Sequence, residues 1–148
     1  MQIYQVDVVF QEIPDEISLC FFVAGCDVRC KGCHSAHTWS TRTTPDMPIE
    51  TYESLLNKYL DKSSCILFMG GEWDPALPHW LSLAKHYNYK TALYTGRMTL
   101  PEDITIHLDY VKYGPWVEEL GGLSSKTTNQ RLYDLRNETT LNHRFYKD

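Results

Sequence analysis

The sequence has little that would tie the chain to a nucleic acid or a membrane. Its 14 lysines and arginines are outnumbered by 19 aspartates and glutamates, for a net charge of -5, and the basic residues form no run. Such a charge distribution gives no sign of a positively charged surface that would bind nucleic acids or anionic lipids. No apolar stretch approaches the roughly 18 residues of a membrane span, and residues 1–16 lack the basic-then-apolar order of a secretory signal. We therefore expect a cytoplasmic protein with neither a nucleic acid nor a membrane as its partner.

The sequence also lacks internal repeats, low-complexity tracts and linker-like runs of glycine, serine or proline. A chain of 148 residues, of which 43% are apolar, is long enough to bury one hydrophobic core. These features predict a single domain over residues 1–148.

Short apolar runs that stop at glycines recur along the chain. Residues 18–25 and 64–71 are such runs, and "KTALYTGR" and "LDYVKYGP" repeat the pattern of a strand followed by a glycine. Helical patterns separate them, so the sequence predicts an α/β fold of parallel βαβ units. The functional loops of such units lie at the carboxyl ends of the strands.

Two amphipathic helices are predicted between these strands. The first covers about residues 48–61, with Asp46 as its N-cap. The second carries its apolar residues on one face, namely Leu77, Trp80, Leu81 and Ala84.

Three of the five cysteines crowd into one short stretch behind the first apolar run, in the pattern Cys26-x3-Cys30-x2-Cys33. Clustered cysteines in a reducing compartment are more often metal ligands or catalytic groups than disulfide partners, and three cannot all pair. Charged residues alternate with them, which argues against unligated thiols in a core. By contrast, Cys20 and Cys65 lie in apolar runs and are predicted to be buried hydrophobic residues.

The spacing alone leaves two kinds of metal site open. A structural zinc site needs four ligands, and His34 or His37 could complete a Cys3His set. An iron–sulfur cubane normally has four cysteine ligands, so three cysteines leave one iron open to a substrate. At the carboxyl edge, the cysteine loop would meet the loops that begin with "GGE" and "TGR".

The motifs resemble those of a known family. Cys-x3-Cys-x2-Cys after a first strand is the signature of the radical S-adenosylmethionine (SAM) superfamily. More narrowly, "LCFFVAGCDVRCKGCHSAHTW", "ILFMGGEWDP", "ALYTGR" and "YGPWVEELGGLSSKTTNQRL" have the order and spacing seen in activating proteins of the anaerobic ribonucleoside-triphosphate reductase. The resemblance covers most of residues 18–136.

The resemblance implies that Cys26, Cys30 and Cys33 hold a [4Fe-4S] cluster whose fourth iron is chelated by SAM. It implies a radical SAM oxidoreductase that generates a glycyl radical on the large subunit of the reductase, with an electron donor such as flavodoxin. The implied fold is an open partial (β/α) barrel, with a parallel sheet and helices on the outer face, because a full barrel typically needs about 250 residues.

The resemblance also implies where SAM is bound. The implied contacts are Gly32, Cys33 and His34 in the cysteine loop, and Gly70, Gly71, Glu72 and Thr95 after later strands. Family members more often have Asp-Pro directly after the two glycines, whereas this chain has Glu72-Trp73-Asp74-Pro75, so either Glu72 or Asp74 can be the carboxylate that matters.

Two other functions stay open as alternatives. His34 lies at a position where relatives commonly have a tyrosine. Because histidine is a common zinc ligand, a zinc-binding interaction module is one alternative. A radical SAM enzyme that acts on a small molecule would share the three cysteines.

The segment of residues 112–132 is expected to seat the reductase across the open side of the barrel, with Trp116 as an exposed aromatic anchor.

Overall fold

The computed structural model describes residues 1–25 and 44–146. This part of the chain contains seven strands and three α-helices, with a short 3-10 helix at Asn142–Phe145. In chain order the elements are β1 Ile3–Val9, β2 Ser18–Val23, α1 Ile49–Lys58, β3 Cys65–Met69, α2 Leu77–His86, β4 Lys90–Tyr94, α3 Glu102–Thr105, β5 Tyr110–Tyr113, β6 Arg131–Asp134 and β7 Thr139–Thr140.

The strands form one mixed sheet whose order follows the chain from β1 to β7. The pairs β2–β3, β3–β4 and β4–β5 are parallel, as predicted. The prediction of a parallel sheet is wrong for β1, β6 and β7, which pair antiparallel with their neighbours. Residues 10–17 and 135–138 are the connections at the two ends of the sheet, and both are too short for the crossover that parallel strands need.

The sheet formed by the described residues is open, because β1 and β7 lie at opposite ends of the strand order. β1 was missed by the sequence reasoning, although "IYQVDVV" has the alternation of apolar and polar residues that is typical of a half-buried antiparallel strand. An open sheet agrees with the chain being too short to close a full barrel.

Alternate strand residues enter two hydrophobic clusters, one on each face of the sheet. The first cluster contains all the buried apolar residues of α1, α2 and α3, together with Leu19, Phe21, Ile66, Phe68, Leu93 and Val111 from the strands. The second cluster takes the intervening strand residues, which are Cys20, Cys65, Leu67, Ala92, Tyr110 and Leu132. In the described part of the chain, connecting segments rather than these three helices cover the second face, through Ile13 and the partly buried Leu123 and Leu141.

The two helices predicted from the sequence are present. All four apolar residues predicted for one face of α2 are buried. The expected N-cap of α1 is wrong, because the cap position is Pro48 and no side chain caps this end. Asp46 instead forms an isolated antiparallel bridge with Gln2. None of the helices in residues 1–25 and 44–146 is long and apolar enough to cross a membrane.

Tyr52 joins α1 to the rest of the first cluster. Its ring stacks on Trp80 of α2 with 4.3 Å between centroids and meets Phe21 of β2 edge-on at 5.2 Å. Its hydroxyl donates a hydrogen bond of 2.7 Å to the carbonyl of Trp80. α1 is the first helix after residues 26–43, the cysteine segment, which contains the three clustered cysteines. These contacts therefore fix the position to which the chain returns after the cysteine segment.

Tyr52→Phe is expected to lower the free energy of unfolding by about 1 kcal/mol, since it removes a buried hydrogen bond and keeps the ring. Tyr59→Phe is the matched control, because Tyr59 is the C-cap residue of the same helix and is half-buried, and its effect should stay within about 0.5 kcal/mol. Urea unfolding of both variants under anaerobic conditions measures the difference. Equal effects from the two substitutions would show that the Tyr52 hydroxyl contributes nothing specific.

Candidate functional site

The residues expected at the site divide into two groups. Cys26, Cys30, Gly32, Cys33 and His34 lie outside the described residues, so their predicted roles stay predictions. The other expected site residues are described, namely Gly70, Gly71, Glu72, Thr95 and Trp116.

The carboxyl ends of β2, β3 and β4 lie side by side. The parallel register aligns Phe22 with Met69, and Met69 with Tyr94. Just beyond these residues, the Gly70 N–H donates to the Tyr94 carbonyl at 2.9 Å. The turn after β3 therefore meets the end of β4, which confirms that the loops beginning with "GGE" and "TGR" come together.

Trp73 ties the same turn to the end of β2. Its indole Nε1 donates to the Ala24 carbonyl at 3.1 Å. Ala24 is two residues before Cys26 in the sequence. The turn after β3 thus lies beside the point at which the chain enters the cysteine segment.

The two glycines of this turn have conformations that other residues rarely adopt. The φ angles of Gly70 and Gly71 are +82° and +111°, in the region that favours glycine. A Cβ on Gly70 would lie 2.5 Å from Cη2 of Trp73, and one on Gly71 would lie 3.0 Å from Cε of Met1. Backbone conformation and packing therefore account for both glycines without any ligand.

Glu72 is a buried carboxylate held by two neighbours. Its side chain is 2% exposed, and Oε1 accepts a hydrogen bond of 2.7 Å from the Thr95 hydroxyl. Nε of Arg97 lies 3.5 Å from the same oxygen. The Arg97 N–H in turn donates to Thr95 Oγ1 at 3.0 Å. Since a buried charge is costly unless it is paired and hydrogen-bonded, Thr95 and Arg97 stabilise Glu72 in this position.

Asp74, the other candidate carboxylate, has a different role. Its Oδ1 accepts a hydrogen bond of 2.8 Å from the Ala76 N–H, and its own N–H donates to the Gly71 carbonyl at 2.9 Å. These bonds shape the turn that leads into α2. Of the two carboxylates, Glu72 is therefore the one that contacts the end of β4.

A cavity of about 440 Å³ opens beside this group of side chains. Its walls include Glu72 and Arg97, followed by Thr99, Leu100 and Pro101. Arg97 has 43% of its side chain exposed, so a positive charge is accessible beside a nearly buried negative charge. Such a wall suits a small ligand that carries both an ammonium and a carboxylate group.

Two charged residues at this edge were not identified from the sequence. The motif "TGR" contains Arg97, to which no role was assigned from the sequence. Lys112 was overlooked in the apolar run of β5, although a lysine there is itself a signal because lysines are rarely buried. The Lys112 side chain is buried, with Nζ at 3.2 Å from the Gly114 carbonyl and 5.4 Å from the centroid of the Tyr94 ring.

Trp116 lies in the connection between β5 and β6 and is half-buried, not exposed as expected. Its ring packs within this connection, where a Cβ on Gly122 would be 3.5 Å from Cζ3. The Thr128 hydroxyl donates to the Gly121 carbonyl at 2.8 Å and helps to hold the connection together. Leu123 from the same connection packs against the second cluster. The segment therefore contacts the face of the sheet that the helices leave uncovered.

The two described cysteines, Cys20 and Cys65, are fully buried and belong to the second cluster. Burial raises the pKa of the Cys65 thiol to about 12 and raises the pKa of the Cys20 thiol as well. The prediction that they are buried hydrophobic residues is confirmed, and their exclusion from the site stays a prediction.

The donors for a metal centre must then be sought elsewhere. Residues 1–25 and 44–146 contain no group of three or more His, Cys, Asp or Glu side chains that could hold a metal ion. Cys26, Cys30 and Cys33 remain as candidate donors, and a set of three thiolates fits an iron–sulfur cluster with one iron open.

Comparison with known proteins supports this type of centre. No curated protein matches the sequence. A family model described as "4Fe-4S single cluster domain" matches residues 17–100, which is more than half of the chain. The match runs from the start of β2 through the three cysteines and the glycine turn to the loop after β4. The chain belongs to the family of 4Fe-4S single cluster domains.

Proposed function

We propose that the chain is a single-domain, cytoplasmic radical SAM activase that generates a glycyl radical on anaerobic ribonucleoside-triphosphate reductase. The observation that carries the proposal is the meeting of three strand ends. The cysteine segment leaves β2 beside the turn that holds Glu72, and Thr95 at the end of β4 contacts Glu72. Membership of a 4Fe-4S family favours a cluster over zinc at the three cysteines.

When bound, a reduced [4Fe-4S] cluster supplies the electron for cleavage of SAM. In the overall reaction, SAM and one electron yield methionine and 5′-deoxyadenosine, and the partner's glycine loses one hydrogen atom. Cys26, Cys30 and Cys33 would hold three irons and leave the fourth for SAM. Glu72 would accept a hydrogen bond from the amino group of SAM, and Thr95 would orient the Glu72 carboxylate through its hydroxyl.

A protein substrate suits the open architecture better than a small molecule does. The glycine belongs to a chain segment of a large partner, so it needs a site that is accessible from one side. The described sheet is open, and the long connection between β5 and β6 packs on its second face through Leu123. We propose that the sheet is a partial (β/α) barrel of the radical SAM type and that this connection seats the reductase, with flavodoxin or a similar protein as electron donor.

Cys26→Ala, Cys30→Ala and Cys33→Ala are each expected to abolish cluster binding, because each removes one of three ligands. Cys20→Ala and Cys65→Ala are the matched controls and should retain iron and sulfide near the wild-type content. Alanine is preferred to serine at these two buried sites, since a buried hydroxyl without a partner costs about 1–3 kcal/mol. Iron and sulfide analysis after anaerobic reconstitution measures the outcome. Wild-type iron content in any of the first three variants would overturn the ligand assignment.

Glu72→Gln and Asp74→Asn distinguish the two candidate carboxylates. Glu72→Gln should weaken SAM binding by about tenfold or more with iron content retained, because it removes a charge-assisted hydrogen bond. Asp74→Asn should leave SAM affinity within about twofold and the free energy of unfolding nearly unchanged, because the asparagine Oδ1 can accept the same hydrogen bond from the Ala76 N–H. Equilibrium dialysis with labelled SAM gives both affinities. The opposite order of effects would assign the contact to Asp74.

Trp116→Ala is expected to keep the cluster and the affinity for SAM but to lose most glycyl-radical formation on the reductase. The reason is that the connection between β5 and β6, which is proposed to seat the reductase, loses the packing of this ring. Trp116→Phe preserves an aromatic ring against Gly122 and should retain most of the signal. Reduced variant, SAM and reductase are mixed anaerobically, and the glycyl doublet is read by electron paramagnetic resonance. A full-strength doublet from Trp116→Ala at limiting activase would show that the segment does not position the partner.

A further inference from the structure

The face of the sheet that packs against α1, α2 and α3 has no helix of its own at β5 and β6 in the described part of the chain. Crossover helices normally cover this face of a parallel sheet. Here β5 is followed by an irregular connection, and Leu123 of this connection packs on the second face instead. A cavity of about 550 Å³, the β5–β6 groove, lies at the uncovered position. Its lining includes Met98, Leu100, Tyr113, Arg131, Tyr133 and Leu135.

The floor of the groove is aromatic and is anchored in the first cluster. Tyr113 and Tyr133 meet edge-on with 5.9 Å between their ring centroids. Both rings pack against the first cluster, as do Leu100 and Leu135. Side chains that are already held in place lose little conformational entropy when a partner covers them. The floor is therefore preorganised for a contact.

Two exposed side chains form the rim. Met98 is 62% exposed, and Arg131, which opposes Tyr113 in the pairing of β5 with β6, is exposed as well. Nη1 of Arg131 donates to the carbonyls of Thr128 and Gln130 at 2.6 and 2.8 Å. Nε and Nη2 donate to no residue in the described ranges. This side of the guanidinium can bind a carboxylate with two parallel hydrogen bonds.

The charge of the groove is opposite in sign to that of the whole chain. Arg131 is the one charged side chain among the described residues that line it, whereas the chain carries a net charge of -5. A local positive charge on an acidic protein attracts an acidic group of a partner to one place and orients it. Arginine, tyrosine and methionine are also enriched in the cores of protein interfaces. Charge and composition together fit a protein segment with an acidic residue beside an apolar one.

We propose that the β5–β6 groove binds a segment of the reductase, with an acidic side chain of that segment on Arg131 and an apolar side chain against Met98 and Tyr133. The proposal rests on the function proposed above and adds a contact on the opposite face of the sheet to the seat formed by the connection between β5 and β6.

The position of the groove favours the reductase as its occupant. Met98 lies in the loop after β4, and Tyr113 is the last residue of β5, so the groove begins at the edge where the partner's glycine must arrive. Asn129 links the groove to the proposed seat. It lines the groove, belongs to the connection between β5 and β6, and donates through Nδ2 to the Pro115 carbonyl at 3.1 Å. One partner can therefore contact the seat and the groove together.

The experiment measures the affinity of iron-loaded variants for the immobilised reductase by anaerobic biolayer interferometry. Arg131→Glu reverses the charge of the groove, and Met98→Asp puts a charge where an apolar contact is expected. Each should raise the Kd of the complex by about tenfold or more. Arg131→Gln should raise it less and should make binding less sensitive to added salt, because it removes one ionic contact.

Lys58→Glu and Ile106→Asp are the matched controls. They make the same kinds of change at exposed positions that do not line the groove, and Ile106 is 69% exposed. Both should leave the Kd within about twofold of the wild-type value. Iron content and the free energy of urea unfolding are measured for every variant, so that a loss of binding is compared only between folded, iron-loaded proteins.

Three results would overturn the groove contact. The first is unchanged affinity for the reductase in Arg131→Glu and Met98→Asp. The second is an equal loss in the two control variants, which would mean that surface charge in general governs binding. The third is slower reduction of the cluster by flavodoxin with unchanged affinity for the reductase, which would assign the groove to the electron donor. A wild type that binds the reductase through the groove but does not cleave SAM would instead overturn the proposed function, so the two failures are distinguishable.

Discussion

The parallel register of β2, β3 and β4 is the constraint on which the site depends. Because Phe22, Met69 and Tyr94 are aligned across three strands, the loops that follow them begin at the same level. Helical crossovers on one face supply the return connections, and α1 and α2 bury their apolar residues in one shared cluster. Parallel pairing and one-sided helix packing together bring the end of β2, which leads into the cysteine segment, to the same edge as the glycine turn and Thr95.

The electrostatics of this edge follow from one buried carboxylate. Glu72 would be costly to bury alone, and Thr95 and Arg97 provide the hydrogen bond and the opposite charge that offset this cost. These side chains thereby join the turn after β3 to the end of β4.

Much of the central fold was predictable because its signals are local. Apolar runs that end at glycines located β2, β3, β4 and β5, and helical spacing located the buried face of α2. The antiparallel strands were not predicted, since short polar-apolar alternation is a weaker signal and the pairing direction depends on distant partners. The exposure of Trp116 was misjudged for a related reason, because the residues that cover it belong to a long irregular connection.

The sequence by itself determined the chemistry that is available: three closely spaced cysteines, two adjacent glycines and acidic residues after an apolar run. Spacing along the chain carries that information because the ligands of a cluster can come from one loop. Tertiary structure alone decided which carboxylate contacts the end of β4. Asp74 turns back to the Ala76 N–H, while Glu72 reaches Thr95 and Arg97 from a neighbouring strand end. Contacts between residues more than twenty positions apart arise from strand pairing, so no local pattern could reveal the charge pair at this edge.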